Sequence, residues 1–199
     1  MIAIINVIVM IVAGALMSIF YLMSVRPAAM EQKIGERAYK RAATYRMIGG
    51  GICMFVVMAN YVIYYFYPLP ISLPRFFPWP HWISAIIAAL IGIPGTALMI
   101  ISARATGEEA MVPKKEHIMY EGIYRKIRHP MAVGELPLWF AMAFAAHSPF
   151  LLIFSLVWIP VWYSWCIAEE KDLLIRYGES YAEYCRQVPR FIPRRQKKA

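Results

Sequence analysis

Apolar residues in this chain run in blocks of about twenty, and that feature decides what it can fold into. A globular core is assembled from shorter apolar runs, whereas roughly 20 consecutive apolar residues are what a helix needs to cross a bilayer. Five segments read this way, at about 2–24, 47–67, 82–103, 131–146 and 149–167. Hydrophobic residues make up 60% of the 199, above the usual soluble share of about 45–50%. Lipid offers no water to satisfy backbone polar groups, so the spans are expected to be helical. The last two blocks are short and separated by His147-Ser148 alone, which predicts a tight helical hairpin.

The expected fold is therefore an all-α integral membrane domain over 1–199, with three spans and their loops in 1–104 and the hairpin in 105–199. The first block has no basic run before it and no small-residue cleavage pattern before Arg26, so it is expected as a span and not as a signal. Charge sets the orientation. Arg26, Lys33, Arg37, Lys40, Arg41 and Arg46 fill the first loop, and Arg104, Lys114, Lys115, Arg125, Lys126 and Arg128 the third. The second loop holds Arg75, and the hairpin turn has no Lys or Arg. Positive loops stay inside, so the N-terminus is expected outside and the C-terminus in the cytoplasm. The net charge of +9 thus orients the chain at a lipid bilayer and does not imply nucleic acid.

Between the spans, Glu31 and Glu36 alternate with basic residues at helical spacing, which predicts an interfacial helix over 26–46. Gly14 and Ala15, and Gly49-Gly50-Gly51, mark places where helices can approach closely. Tyr61 to Trp82, with His81, reads as an aromatic belt. Pro94-Gly95 predicts a kink in the third span. Cys53, Cys166 and Cys185 are far apart, so neither a disulfide framework nor a metal site is expected. From Glu169 to Val188, Leu173, Leu174, Tyr177, Tyr181, Tyr184 and Val188 recur three and four apart, predicting a cytoplasmic amphipathic helix bent at Gly178. The basic end after it, Val188 to Lys198, is expected on the anionic leaflet.

Polar chemistry concentrates in Tyr120 to Glu135, a basic stretch holding Arg128-His129-Pro130 that runs straight into an apolar span. Glu135 lies inside that span, where a carboxylate is costly unless paired or facing a polar cavity; the alternative is a side chain snorkelling to the interface. Glu116, His117, Tyr124, Arg128, His129, Glu135, Glu169 and Glu170 all collect on one side of the bilayer. The hairpin brings the residues before one span and after the other together, so sequence distance conceals one site. Apolar helices around polar groups suit a pocket that takes one polar and one lipophilic ligand. A duller reading makes His129 a cap, Arg128 an interfacial cation, and Glu169-Glu170 acidic residues at a helix N-terminus.

The run Gly122-Ile123-Tyr124, Arg128-His129-Pro130 and Gly134, followed by Glu169-Glu170, Leu173, Tyr177-Gly178, Tyr181, Tyr184 and Val188-Pro189, resembles the isoprenylcysteine carboxyl methyltransferase family and its relatives the phospholipid N-methyltransferases. The resemblance covers roughly the last 85 residues, and the compact chain is similar to prokaryotic, cell-membrane members. It implies S-adenosylmethionine as methyl donor, bound without a Rossmann domain in a cytoplasm-facing pocket. The implied cofactor positions are Glu116, His117, Ile118, Met119, Tyr124, His129, Pro130, Met131, Ala132 and Glu169. Two positions depart from the eukaryotic prenylcysteine enzymes: Trp165 stands where they have Arg, and Ala132 where they have Tyr. These departures bear on recognition of a prenylcysteine carboxylate more than on the cofactor.

The residue types agree with methyl transfer. A sulfonium donor with a carboxylate, an amino group, a ribose diol and an adenine calls for a carboxylate, basic donors and aromatic surface, which Glu169, His129 with Arg128, and Tyr124 supply. A carboxylate acceptor is already ionised and needs alignment and desolvation; an amine-bearing lipid would need a base, for which Glu135 and Glu170 are the candidates. Arg128, Glu135 and Glu170 are accordingly the candidate catalytic residues. The partners expected are a lipophilic or lipidated substrate and the bilayer, with no obligate protein partner. An NADPH-dependent sterol-type reductase is the competing class, since such enzymes end in a similar acidic-start, Tyr-Gly, Tyr, Val-Pro helix.

Overall fold

The computed structural model describes residues 1–107, 112–113 and 121–193, and among these every regular element is helical. Four helices are long and apolar enough to cross a membrane: Ile2–Ser24, Arg37–Phe66, His81–Thr106 and Pro149–Tyr177. A fifth apolar helix, Pro130–Ala145, is shorter at 16 residues, or about 24 Å at 1.5 Å per residue.

Helix α1, Ile2–Ser24, buries Asn6, Met10, Ala13, Gly14 and Met17 on one face. Its Ile4, Ile5, Ile8, Ile11 and Val12 point outward, as lipid-facing positions should. Gly14 is a flat seat for Trp158, whose ring would lie 2.9 Å from any Cβ added there. Its small neighbour in the contact is Ala13 and not Ala15, which is exposed.

The expected single interfacial helix over 26–46 is two pieces, α2 (Pro27–Ile34) and α3 (Arg37–Arg46), broken at Gly35 with φ 67°. Helix α3 then runs on without interruption through a π-helical stretch, Met47–Cys53, into α4, Met54–Phe66. The glycine triplet makes this crossing: a Cβ at Gly49 would lie 2.8 Å from the Tyr21 amide nitrogen and 3.1 Å from the Met17 carbonyl of α1.

Helix α5, His81–Thr106, is continuous as a helix across Pro94, and it packs against α6, Pro130–Ala145, through glycine on glycine. A Cβ on Gly95 would meet the Gly134 carbonyl oxygen at 2.8 Å, and one on Gly134 would meet the Gly95 carbonyl oxygen and the Met99 amide nitrogen at 2.7 Å. The two helices are antiparallel. The start of α5 is tied to the end of α6 by His81 Nε2 at 3.1 Å from the Ala145 carbonyl, and by Ser84 Oγ at 2.7 Å from His147 Nδ1. His81 and His147 stack at 4.9 Å within the aromatic cluster of Phe76, Phe77 and Phe144.

Across the turn, Ser148 caps α7 (Pro149–Ser155) by accepting from the Leu151 amide. Helix α8 follows, Trp158–Tyr177. The final stretch departs from expectation. Instead of a new helix starting near Glu169, α8 leaves the apolar region still helical and stops at Gly178, φ 58°; α9, Glu179–Gln187, comes after it. Glu169 and Glu170 are therefore mid-helix, and the helix-dipole reading of that pair does not apply. The core is an aromatic column of Trp139, Trp158, Trp162 and Trp165 with Tyr61, in which the Trp158 indole donates to the Tyr61 hydroxyl at 3.1 Å.

Candidate active site

The site grows from a backbone requirement. His129 precedes Pro130, the first residue of α6, and has no side-chain cap of its own. Its N–H and that of Arg128 still need acceptors when buried. The C-terminal strap supplies them: Arg128 N–H donates to the Pro189 carbonyl at 2.9 Å, and His129 N–H to the Arg190 carbonyl at 3.1 Å. Pro189 and Arg190 are thus folded onto the Arg-His-Pro motif, while the basic residues 194–198 expected on the leaflet fall outside the described residues. The Tyr184 hydroxyl adds a third tie, donating to the Tyr124 carbonyl at 2.6 Å.

His129 is 6% exposed and lies between two carboxylates. Nε2 is 2.9 Å from Glu170 Oε1, and Nδ1 is 3.5 Å from Glu169 Oε2. Burial opposes charge on the ring, but hydrogen bonds to Cys166, Glu169 and Glu170 outweigh it and hold the imidazole well above its ordinary value. Glu170, 7% exposed, is the hub of the cluster. Arg190 grips both its oxygens, Nε to Oε1 at 2.9 Å and Nη2 to Oε2 at 2.6 Å. Arg128 Nε approaches Oε1 at 3.4 Å, close enough for charge attraction but not aligned as a hydrogen bond. A buried carboxylate engaged on both oxygens is occupied structurally, and Glu170 does not face the cavity beside it.

That cavity encloses about 1090 Å3 of empty space, counting its open mouth. Its walls include Tyr124, Arg128, His129, Met131, Ala132, Glu135 and Glu169, so the structure brings these predicted residues together. Pro130 is buried behind them and Glu170 lies outside the lining. The predicted positions Glu116, His117, Ile118 and Met119 fall outside the described residues. Glu135 is half-buried in the wall, with the Trp162 indole as its polar neighbour, so it faces the cavity and does not snorkel. Glu169 retains 32% of its side-chain exposure, in a site that Trp165, Tyr181 and Tyr184 also line.

Several lining residues were not legible in advance. One face of α8 supplies Trp162, Trp165, Cys166, Glu169, Asp172, Leu173, Arg176 and Tyr177, a spacing of three and four that reading a new helix from Glu169 concealed. Asp172 reaches across to α2, whose own N-cap residue, Arg26, makes no side-chain cap. Its two oxygens accept from the Ala28 and Ala29 amides at 3.0 and 2.8 Å, satisfying helix N–H groups that would otherwise be orphaned. Tyr21 and Arg46 enter the wall from α1 and α3. Trp165, the residue that departs from the prenylcysteine enzymes, is 4% exposed. Its ring packs tilted on Tyr21, 4.2 Å between centroids, and it donates to the Ser18 carbonyl at 3.3 Å.

Residues 83–180, just under half of the chain, match the protein family described as phospholipid methyltransferase. The chain is also 36% identical over 74 residues to a methanethiol S-methyltransferase of Crocosphaera subtropica (strain ATCC 51142 / BH68), an alignment covering 35% of this chain and 27% of that protein. The chain therefore spans about a quarter of the length of the curated relative it matches. The family match contains Tyr124, His129, Glu135 and Glu169 and stops short of Tyr21 and Arg46. The phospholipid methyltransferase match thus falls on the stretch that carries Arg128, His129, Glu169 and Glu170.

Proposed function

We propose that this chain is a membrane methyltransferase that transfers a methyl group from S-adenosylmethionine to a lipophilic acceptor. The observation that carries this reading is the cavity itself, where a partly exposed carboxylate, a buried imidazole and a set of aromatic rings face one another at one end of an apolar bundle. Those groups fit the donor. Glu169 suits its amino group or ribose diol, charged His129 its carboxylate, and Tyr124 and its neighbours its adenine. When bound, S-adenosylmethionine supplies an electrophilic methyl carbon on a sulfonium.

The chain's own residues then have three tasks. Arg128, Arg190 and Glu170 fix His129 so that one wall is preorganised, which makes Glu170 a positioning residue and not a base. Trp162, Trp165 and Met131 exclude water, so an anionic acceptor is desolvated and aligned with the methyl carbon. Glu135 can take the proton from an acceptor that carries one, such as a thiol or an amine. The acceptor chemistry read from the C-terminal motifs is a carboxylate on an isoprenylcysteine-like or lipid body; the relative named for methanethiol adds a thiol. In this reading α6 is a fifth span, paired along its length with α5, and the single domain has its N-terminus outside and the cavity in the cytoplasm.

The test is calorimetric titration of S-adenosylhomocysteine into the detergent-solubilised protein, with NADPH as the parallel ligand. Saturable binding of the first alone is expected. Binding of NADPH alone would replace methyl transfer with the reductase class.

A further inference from the structure

We propose that Arg46 and Tyr21 form the acceptor-recognition wall of the cavity and select acceptors whose attacking atom is an anion, a carboxylate or a thiolate on a lipophilic body. This rests on the methyl-transfer reading above. The residues assigned to the donor all lie within the matched stretch 83–180, whereas Tyr21 and Arg46 lie outside it, on the N-terminal helices. The part of the cavity that the matched stretch does not build is where this chain's own selectivity belongs.

The geometry of that wall is rigid. The Tyr21 ring is clamped between Trp165, at 4.2 Å between ring centroids, and Gly50, where an added Cβ would come within 3.3 Å of the ring. Its phenol lies within electrostatic reach of Arg46, Glu135 and Glu169, which line the same cavity. Arg46 is the last residue before the π-helical stretch Met47–Cys53. A π-bulge carries an extra residue per turn and re-aims the side chains before it. Gly49, pressed onto the α1 backbone at Tyr21 and Met17, holds that turn flush against α1, so Arg46 enters the cavity beside Tyr21. Its charge acts on Glu169 as well as on Tyr21, so a guanidinium shares the cavity lining with both. A fixed cation there attracts a carboxylate or thiolate and disfavours an ammonium.

For a carboxylate the reaction balances without a base; a thiol first gives its proton to Glu135 or to solvent and then attacks as the thiolate. A lone pair on the acceptor anion forms a bond to the methyl carbon as the methyl–sulfonium bond breaks. That bond's electron pair stays on sulfur, so the donor leaves as the neutral thioether, and the product is a neutral ester or thioether with no proton to remove.

The experiment compares Arg46→Gln, Arg46→Lys and Tyr21→Phe with wild type, using methyl-labelled S-adenosylmethionine and three acceptors: a farnesylcysteine carboxylate, dodecanethiol and a primary-amine phospholipid. Affinity for S-adenosylhomocysteine is measured separately. Wild type should methylate the carboxylate or the thiol in preference to the amine, and which of the two it takes separates the two anions. Arg46→Gln should raise KM for that acceptor at least tenfold, with S-adenosylhomocysteine affinity within twofold of wild type and partial recovery in Arg46→Lys. An equal loss of S-adenosylhomocysteine affinity would assign Arg46 to the donor, and an unchanged KM or a preference for the amine would also overturn the proposal. Failure of wild type to bind S-adenosylhomocysteine would instead remove the methyl-transfer reading, and this inference with it. Tyr21→Phe keeps the ring packed on Trp165, so a rise in its KM, expected at a fewfold, reads the lost hydroxyl in a folded protein.

Discussion

Replacing Arg190 with alanine separates a structural hub from a surface ion pair. Arg190 makes two charge-assisted hydrogen bonds to Glu170, at 2.9 and 2.6 Å, from a side chain 30% exposed to one that is 9% exposed. A hydrogen bond to a charged group contributes about 1.5–3 kcal/mol. Two of them would double that, but the exposed side of Arg190 lets water replace it at Oε2, while His129 retains Oε1. The net cost should be about 2 kcal/mol, or roughly thirtyfold in the folding equilibrium. The strap that accepts from Arg128 and His129 loosens with it, so affinity for S-adenosylhomocysteine should fall about tenfold, equivalent to about 1.4 kcal/mol. Thermal melting in detergent and calorimetric titration read the two effects. Arg186→Ala, which removes exposed ion pairs to Glu179 and Glu183 on α9, is the control and should change neither. If Arg190→Ala keeps both the melting temperature and the affinity of wild type, Glu170 is not the hub described here.

His129 should make stability depend on pH. A ring held above its ordinary value contributes in full below about pH 6.5, its unfolded value, and loses the contribution as pH rises through the raised one. The melting temperature of wild type should therefore decline above neutrality by more than that of His129→Asn, and parallel profiles would exclude the charged ring. Glu169→Gln should weaken S-adenosylhomocysteine binding by about 1–3 kcal/mol in a normally folded protein, with an unchanged titration counting against its role. Gly134→Ala drives a methyl into the Gly95 and Met99 backbone at 2.7 Å, where nothing flexible can yield, so a cost of about 2–3 kcal/mol is expected. Gly51→Ala meets nothing within 4 Å and should melt no lower than wild type, a comparison that fails if the two glycines respond alike. Trp165→Arg should destabilise the protein, because it removes the ring packed against Tyr21 and Trp162; a stable variant would show that the ring is dispensable.

Much of this architecture was written in local patterns. The extents of α1 and α5 follow from the apolar run, because a helix in lipid has no other way to satisfy its backbone. Tyr124, Arg128, His129, Glu135 and Glu169 stood out as polar groups beside or within apolar helices. What escaped was continuity and long-range pairing. The run of Glu169-Glu170 looked like the start of a helix because acidic residues favour that position, yet α8 passes through them to Gly178. Arg190 looked like one more basic residue near the leaflet, and only the fold returns it to Glu170.

The sequence alone determined that this chain is a bundle of membrane helices and which polar residues it could not leave exposed to lipid, since burial costs and span lengths are local properties of each segment. The tertiary structure decided the rest. It chose Glu170 for the buried cluster and Glu169 for the cavity, two neighbours that a helix turns about 100° apart. It also brought Tyr21 and Arg46 to a site whose charged half lies more than seventy residues further along. Such pairings depend on which helix faces pack together, and here glycines at 14, 49, 95 and 134 set that packing by letting backbones and rings touch.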